Sequence, residues 1–239
     1  MNEVLRLIQE RRSVRVSFDP QRPIDRDDLR KILEAGRWTP TPHNMQNFEV
    51  LVVDDAKVLE ELGEIRSPVT EAFLRENYEQ LSFSEEELLR KKVGIWGAMF
   101  PPSWTDPSKF GEVAAKDAGT SLERTIDGSR LLLIVTYDPG RRAPDSEGDL
   151  LGIIGLGCLM ENMWLMAASL GISVRVMSDF GDAPIQEEVK RTLGIPGRLR
   201  IAYGLRLGYP QSSPAQGLRV RRDVEGFTHH NQYGKKGFE

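Results

Sequence analysis

A chain of 239 residues, 39% of them hydrophobic, can bury roughly 70% of its extended surface, which suits one sizeable core. The formal charge of -4 argues against nucleic-acid or membrane binding driven by net charge, while leaving room for a local basic pocket. A single cysteine, Cys158, excludes an intrachain disulfide framework and a thiolate metal cluster, so a reducing, cytoplasmic setting is the expectation.

MNEVLRLIQERRS, residues 1–13, is charged and amphipathic and lacks the apolar run and small-residue cleavage site of a signal peptide. Val4, Leu5, Leu7 and Ile8 predict a helix over 2–10. A second helix is predicted over 25–38, DRDDLRKILEAGRW, with Asp25 as its cap and Pro40 and Pro42 as its stop. FEVLVV, 48–53, reads as a buried strand. Asp54 to Arg90 holds 11 acids against four bases, the composition of a polar excursion, and residues 66–110 are expected to form a lid or cover. RLLLIVTYD, 130–138, is a core strand. LLGIIGLGCLMENMWLMAASLG, 150–171, has helix length and an apolar character that predicts a central buried helix, without an uninterrupted run long enough for a membrane span. A strand over 172–180, a short helix with Pro184 near its start and Gly194 near its end, and a strand over 198–210 follow. Residues 211–239 form a Ser-, Gly- and Arg-rich extension. This order predicts a single domain over 1–239 in which helices cover one sheet.

Four stretches offer chemistry. In RRSVR, Arg11, Arg12, Ser13 and Arg15 form either an exposed charge run or a site for one phosphate group, since guanidinium forks and a hydroxyl match phosphate oxygens. TPTPHNMQN, 39–47, is either a Pro-bounded connector whose side chains satisfy their own backbone, or a rigid polar rim for a flat heterocycle. Pro40 and Pro42 would stiffen it, and Thr41, Asn44 and Gln46 would supply donors and acceptors. GIIGLG, 152–157, follows an acidic loop instead of a strand, so it is read as close packing within a helix and not as a dinucleotide fingerprint. In LRVRR, Arg219 and Arg221 fall on one side of an extended segment, as a solvated tail or as part of a composite anion site. His43, His229 and His230 have no helical ligand spacing, and no metal site is expected. Tyr78, Trp96, Phe100 and Trp104 could stack on a substrate or pack within the cover.

Together these stretches resemble the FMN-dependent nitroreductase family, from about residue 4 to about residue 231. RRSVRVSFDPQRPI and LRKILEAGRWTPTPHNMQNFEVLVV resemble the family's opening. GCLMENMWLMAASLGISVRVMSDF resembles its central helix and following strand, and IPGRLRIAYGLRLGYP with RVRR resembles its close. The resemblance implies an α+β fold: a three-layer α/β/α sandwich with a central mixed, mainly antiparallel sheet, assembled as an interwoven homodimer. It implies that Arg11, Arg12, Ser13 and Arg15 hold the FMN phosphate and ribityl chain or reach the flavin edge, with Arg219 and Arg221 assisting the phosphate. Pro40, Thr41, Pro42, Asn44 and Gln46 would be the loop supplied by the second subunit, and Met177, Ser178 and Asp179 would lie beside the ring. The chain departs from the family pattern at Ser178 and Asp179, where glycine is common, at Thr41 and Pro42, where small serines are common, and at Asn47, usually proline. The implied activity is ping-pong electron transfer from NADH or NADPH through FMN to a small aromatic or conjugated acceptor such as a nitroaromatic, quinone or activated alkene. Nucleic acid and membrane are not expected partners. Two alternatives stay open: a specialised flavin enzyme such as a dehalogenase or a flavin-fragmenting enzyme, with Glu76, Tyr78 and Lys91 or Lys92 resembling a dehalogenating lid, and a non-catalytic flavin-binding or sensory protein.

Overall fold

The computed structural model describes residues 2–213 and 217–236. Residues 214–216 and 237–239 of the expected C-terminal extension lie outside the described residues. In chain order the elements are α1 (Glu3–Glu10), α2 (Arg26–Arg37), β1 (Phe48–Val53), α3 (Ala56–Glu64), α4 (Glu71–Glu79), β2 (Leu81–Ser82), α5 (Glu85–Lys91), β3 (Ile95–Trp96) and α6 (Phe110–Asp117). There follow α7 (Glu123–Ile126), β4 (Leu131–Tyr137), α8 (Leu150–Ser169), β5 (Ser173–Met177), α9 (Ala183–Leu193), β6 (Arg200–Gly208) and α10 (Val224–Phe227). They divide between two compact units, Met1–Ser67 with Thr120–Pro214, and Pro68–Gly119 with Ala215–Glu239.

The first unit is built on a four-stranded sheet of order β1-β4-β6-β5, antiparallel throughout. Its parallel component among the described residues is a single bridge between Ser13 and Val174 at the outer edge of β5. β4, LLLIVTY, lacks polar alternation and is buried at all seven positions, as a strand covered on both faces must be. Leu131, Leu133 and Val135 join Tyr203, Leu205, Leu207 and Val174 against Ile32 of α2 and Leu159, Met163 and Ala167 of α8. Leu132 and Ile134 face the other way, onto Leu59 and Leu62 of α3 and Ile185 and Val189 of α9. Strand periodicity thus divides the apolar residues between two cores and gives the three layers.

Local signals act where the sequence places them. Asp25 accepts from the Asp27 amide at 2.7 Å at the start of α2, and Gly194 closes α9 in the left-handed region at φ 65°. α2 approaches α8 closely because a Cβ on Gly36 would come within 3.1 Å of Leu159 and Met163.

Two burial expectations change. Among the described residues β1 pairs only with β4, at the edge of the sheet, and Val52 is 39% exposed, so its apolar run is half-covered. α8 is long and apolar enough to cross a membrane by length and composition, yet only one stripe is buried: Leu156, Leu159, Met163, Trp164 and Ala167. Leu150, Leu151, Ile153 and Ile154 are exposed. The Tyr203 hydroxyl donates to the Leu156 carbonyl at 2.9 Å inside the packed side, and burial pushes its pKa up.

The second unit is small. Val69, Leu74 and Phe110 form its core, flanked by Tyr78, Trp104 and Val113. Thr70 caps α4 and Ser84 caps α5. The Val69 amide donates to Asp117, and Lys92 pairs with Asp223.

One buried cation ties the first unit together. Arg206 on β6 has no exposed surface. Its Nη1 donates to the carbonyls of Thr125 at 3.0 Å and Ile126 at 3.3 Å and lies 3.4 Å from Asp127, while Nη2 donates to the Val16 carbonyl at 2.8 Å. The guanidinium stacks 4.3 Å from the Phe18 ring centre. Burial and the like charge of Arg175 pull its pKa below the ordinary arginine value, opposed by Asp127, but a guanidinium stays protonated in proteins. Arg206→Ala should therefore lower unfolding stability by about 3–5 kcal/mol, because Asp127 and three carbonyls lose their donor. Arg206→Lys should restore only part of this, lacking the planar fork. Denaturant midpoints measure both, and an Ala variant as stable as wild type would remove Arg206 from this role.

Candidate functional site

The RRSVR segment is placed by backbone pairing. α1 ends at Arg11, whose φ of -51° and ψ of 130° turn the chain extended. The segment then runs along β5, with Ser13 paired to Val174 and the Val14 amide donating to the Val174 carbonyl at 2.9 Å. Val14 is buried, so the residues around it are held against the sheet edge. On the far side, the Ser17 hydroxyl donates to Asp127 at 3.1 Å, and Arg206 holds Val16.

The arginines of this segment differ in what occupies them. Arg11 Nε lies 3.0 Å from Glu161 Oε1, an ion pair without hydrogen-bond alignment, and its guanidinium stacks 4.3 Å from the Trp164 ring centre. Arg12 and Arg15 are exposed, and no hydrogen bond or ion pair ties either to another described residue. A cavity of about 230 Å³ lies beside Arg12 but not Arg15, lined in part by Arg11, Arg12, Trp164 and Ser173. A larger one of about 380 Å³ is lined by Glu60, Glu64, Glu123 and Asp127 against Arg130, a charge balance that opposes a phosphate.

The Pro-rich loop is a strained turn seated on α8. Pro42–Asn44 form one 3-10 turn, and His43, Asn44 and Gln46 all have positive φ, at 49°, 52° and 45°. Non-glycine residues in this region cost about 1–3 kcal/mol each and persist where the surroundings over-determine them. Here the Gln46 amide donates to Thr41 Oγ1 at 3.1 Å and Gln46 Nε2 donates to Asn44 Oδ1 at 3.0 Å. Part of the polar capacity of Thr41, Asn44 and Gln46 thus goes to holding the turn, while His43, Asn44 and Gln46 project into solvent. Two glycines of GIIGLG lie against the loop: a Cβ on Gly152 would come within 3.0 Å of Asn47, a tight approach, whereas one on Gly155 would sit at ordinary contact distance, 3.5 Å from Thr41 and 3.8 Å from Pro42. The expected close packing therefore holds at Gly152, while Gly155 could carry a Cβ at ordinary distances and Gly157 faces open space.

β5 delivers the third set. Met177 is buried at its end, Ser178 is exposed, and Asp179 opens a short turn in which Phe180 packs over Gly204. Ser67 Oγ donates to Asp179 Oδ1 at 3.2 Å. The structure thus brings Arg12, Ser13 and Arg15 alongside the strand that ends at Met177, Ser178 and Asp179. It does not bring the 40–46 loop to Arg11: Gly155 and Trp164, their respective seats on α8, are separated by about 14 Å of helix axis. Arg219 and Arg221 belong to the second unit, where Arg221 donates to the Val220 carbonyl at 2.7 Å.

In the second unit the aromatic side chains pack on one another. Phe100 stacks on Trp104 at 5.7 Å, Phe73 meets Trp104 edge-on at 6.2 Å, and Tyr78 contacts Phe83 and Phe110. Lys91 pairs with Glu87 and Lys92 with Asp223, so neither lysine is directed at Tyr78.

Arg175 and Arg206 escaped the sequence reading. Their signal was an arginine inside an apolar strand, VRV and LRL, where alternation places a charge on a core-facing row and requires a partner.

Residues 8–209 match the Nitroreductase family. The chain is 28% identical over 137 residues to the NADPH-flavin oxidoreductase of Vibrio harveyi, covering 54% of each chain, so the match spans about half of that protein's length. It is 20% identical over 230 residues to an NADPH-dependent oxidoreductase of Staphylococcus aureus, covering 96% of this chain and 74% of the other. Among solved structures it superposes on a nitroreductase with bound FMN from Bacteroides fragilis with TM-score 0.56 at 24% identity, covering 96% of this chain and 98% of the other. A second, from Desulfitobacterium hafniense and also with bound FMN, gives 0.58 at 21%, covering 97% and 100%. With a match running from the end of α1 through β6, this chain belongs to the nitroreductase family.

Proposed function

We propose that the chain is an FMN-dependent NAD(P)H oxidoreductase that works by ping-pong exchange and reduces a small flat acceptor such as a nitroaromatic, a quinone or an activated alkene. The observation that carries this is the pair of exposed guanidiniums, Arg12 and Arg15, without a bonded partner among the described residues on a segment pinned to β5, beside the strand end at Met177–Asp179. Residues present fit the cofactor: these arginines and Ser13 suit a phosphate, and the exposed Ser178 turn suits a ring edge. Hydride acceptance and electron delivery are the flavin's own chemistry when it is bound. The protein's part is to bind, orient and bias charge. Arg12 and Ser13 would hold the phosphate and ribityl chain, with Arg219 and Arg221 assisting; Arg11 would contribute through its hold on the segment, given its engagement with Glu161 and Trp164. Arg15 would favour negative charge at the flavin N1 and O2 edge.

The working unit in this reading is a homodimer, with Pro40, Thr41, Pro42, Asn44 and Gln46 facing the partner's flavin. Support comes from the distance between the loop and Arg11 along α8, and from apolar side chains that need cover: Leu150, Ile153 and Ile154 on α8, Val4, Leu5 and Ile8 on α1. A general reductase is preferred over a dehalogenase because Tyr78, Lys91 and Lys92 have separate partners.

Under anaerobic conditions, NADH or NADPH should bleach the bound FMN, and an oxidised acceptor should restore its colour. Flavin that stays yellow with both donors would exclude the reductase and leave a binding protein. Replacing Arg219 and Arg221 together with alanine should weaken FMN binding by about 100-fold, since two charge-assisted contacts to phosphate are removed. Equilibrium dialysis reads this, and an unchanged affinity would exclude both residues from the site.

A further inference from the structure

Arg175 is the second arginine of the sheet, and its situation differs from that of Arg206. The two are register partners across β5 and β6, and strand alternation sets Arg175 on the face of Met177, opposite Val174 and Val176. Arg206 is fully bonded on its Nη atoms, to three carbonyls and Asp127. Arg175 is half-buried and makes no hydrogen bond or ion pair with another described residue, although a guanidinium carries five donors in a fixed fork. β5 is the sheet's edge, and the chain laid along that edge is the Ser13–Val14 segment that leads to Arg15.

The charges around Arg175 are Asp179, Arg15, Asp127, Arg124 and Arg206. With Arg175 itself, four guanidiniums face two carboxylates, in surroundings where burial already works against the cation. Ser67 holds Asp179, and Asp127 is engaged by Ser17 and Arg206, which leaves Arg15 and Arg175 as adjacent cations lacking a bonded acceptor. Such a surplus calls for a ligand with acceptor atoms. Asp127 and Asp179 oppose a dianionic phosphate. A ring edge that is neutral at rest escapes that repulsion, and when it gains a single negative charge the four guanidiniums outweigh the two carboxylates, so relief of the like-charge strain between Arg15 and Arg175 favours the charged form over the neutral one.

We propose that Arg175 is a second cation at the pyrimidine edge of the flavin, beside Arg15, where its guanidinium stabilises the negative charge that reduction places at N1. This rests on the oxidoreductase reading above and adds a residue to its site. Because the charge is absent from the oxidised ring, Arg175 contributes little to resting affinity and acts mainly on the reduction potential.

The test uses purified holoenzyme with Arg175→Met and Arg175→Lys, with thermal melts to confirm folding. Affinity for oxidised FMN and for riboflavin is read by fluorescence quenching, and the midpoint potential by anaerobic dye equilibration. For Arg175→Met the expected result is oxidised affinity within about three-fold of wild type and reduced-state binding about ten-fold weaker, a potential lower by about 30 mV for two electrons. Arg175→Lys should recover most of the shift by keeping the charge. An unchanged potential in a folded, FMN-loaded Met variant overturns this assignment and leaves the oxidoreductase reading intact. A loss of FMN affinity without loss of riboflavin affinity overturns it in favour of a phosphate contact. A wild-type protein that takes up no FMN overturns both.

Discussion

A guanidinium with no exposed surface must find acceptors inside the protein, and Arg206 finds them on separate stretches of chain. Val16 belongs to the segment after α1, Thr125 and Ile126 to α7, and Asp127 to the left-handed residue that closes α7. The segment after α1 also meets the sheet through backbone bridges, Ser13 to Val174 and Phe18 to Pro210, whereas α7 and Asp127 lie outside its strands. The arginine ties all of them to β6. Through Val16 it reinforces the pairing that places residues 11–15, and with Ser17 it holds Asp127, the acid that faces Arg175. The location of the candidate site thus depends on backbone bridges at the β5 edge and on one buried charge, stabilised by carbonyl dipoles and one carboxylate.

The same logic sorts the remaining arginines. Arg11 and Arg206 have partners and hold structure. Arg12, Arg15 and Arg175 lack bonded partners among the described residues and lie on adjoining strips of chain at the β5 edge. Exposed arginines without partners are ordinary on a protein surface. A half-buried one beside another cation is not, since desolvation and like charge both act against it. Local positive charge is therefore concentrated in a chain whose overall charge is -4, which is why net charge gave no warning of the proposed anion site.

Much of this was legible in the sequence, because the signals are local. Asp25 and Gly194 bound helices through capping geometry, LLLIVTY announces a strand covered on both faces, and Gly152 of GIIGLG marks a close approach to a helix. Burial was misjudged where it depends on neighbours. FEVLVV has the composition of a central strand, yet it ends at the sheet edge because only β4 pairs with it. The roles of Arg175 and Arg206 were illegible for a related reason: VRV and LRL reveal a charge in a core row, but whether it is satisfied depends on Asp127 and Val16, which are remote in sequence. Likewise, Arg11 is indistinguishable from Arg12 in RRSVR, and only the fold shows that Glu161 and Trp164 occupy one of them.

α8 links the cores to the proposed assembly. Its buried stripe closes the core against α2 and the sheet, while its N-terminal turns receive the Pro-rich loop at Gly152 and Gly155 and leave Leu150, Ile153 and Ile154 in solvent. The loop's shape is determined before any ligand arrives, by Pro42, the Gln46 to Thr41 bond and the left-handed residues that the seat on α8 tolerates. A loop ordered in this way contributes little entropy loss on binding. Since it lies about 14 Å along the helix axis from its own Arg11, a second copy packed on the exposed turns of α8 provides a route for it to reach an arginine segment. The apolar surface that would drive association and the polar loop that would complete a site therefore share one helix, so that cofactor binding and dimerisation would stabilise each other.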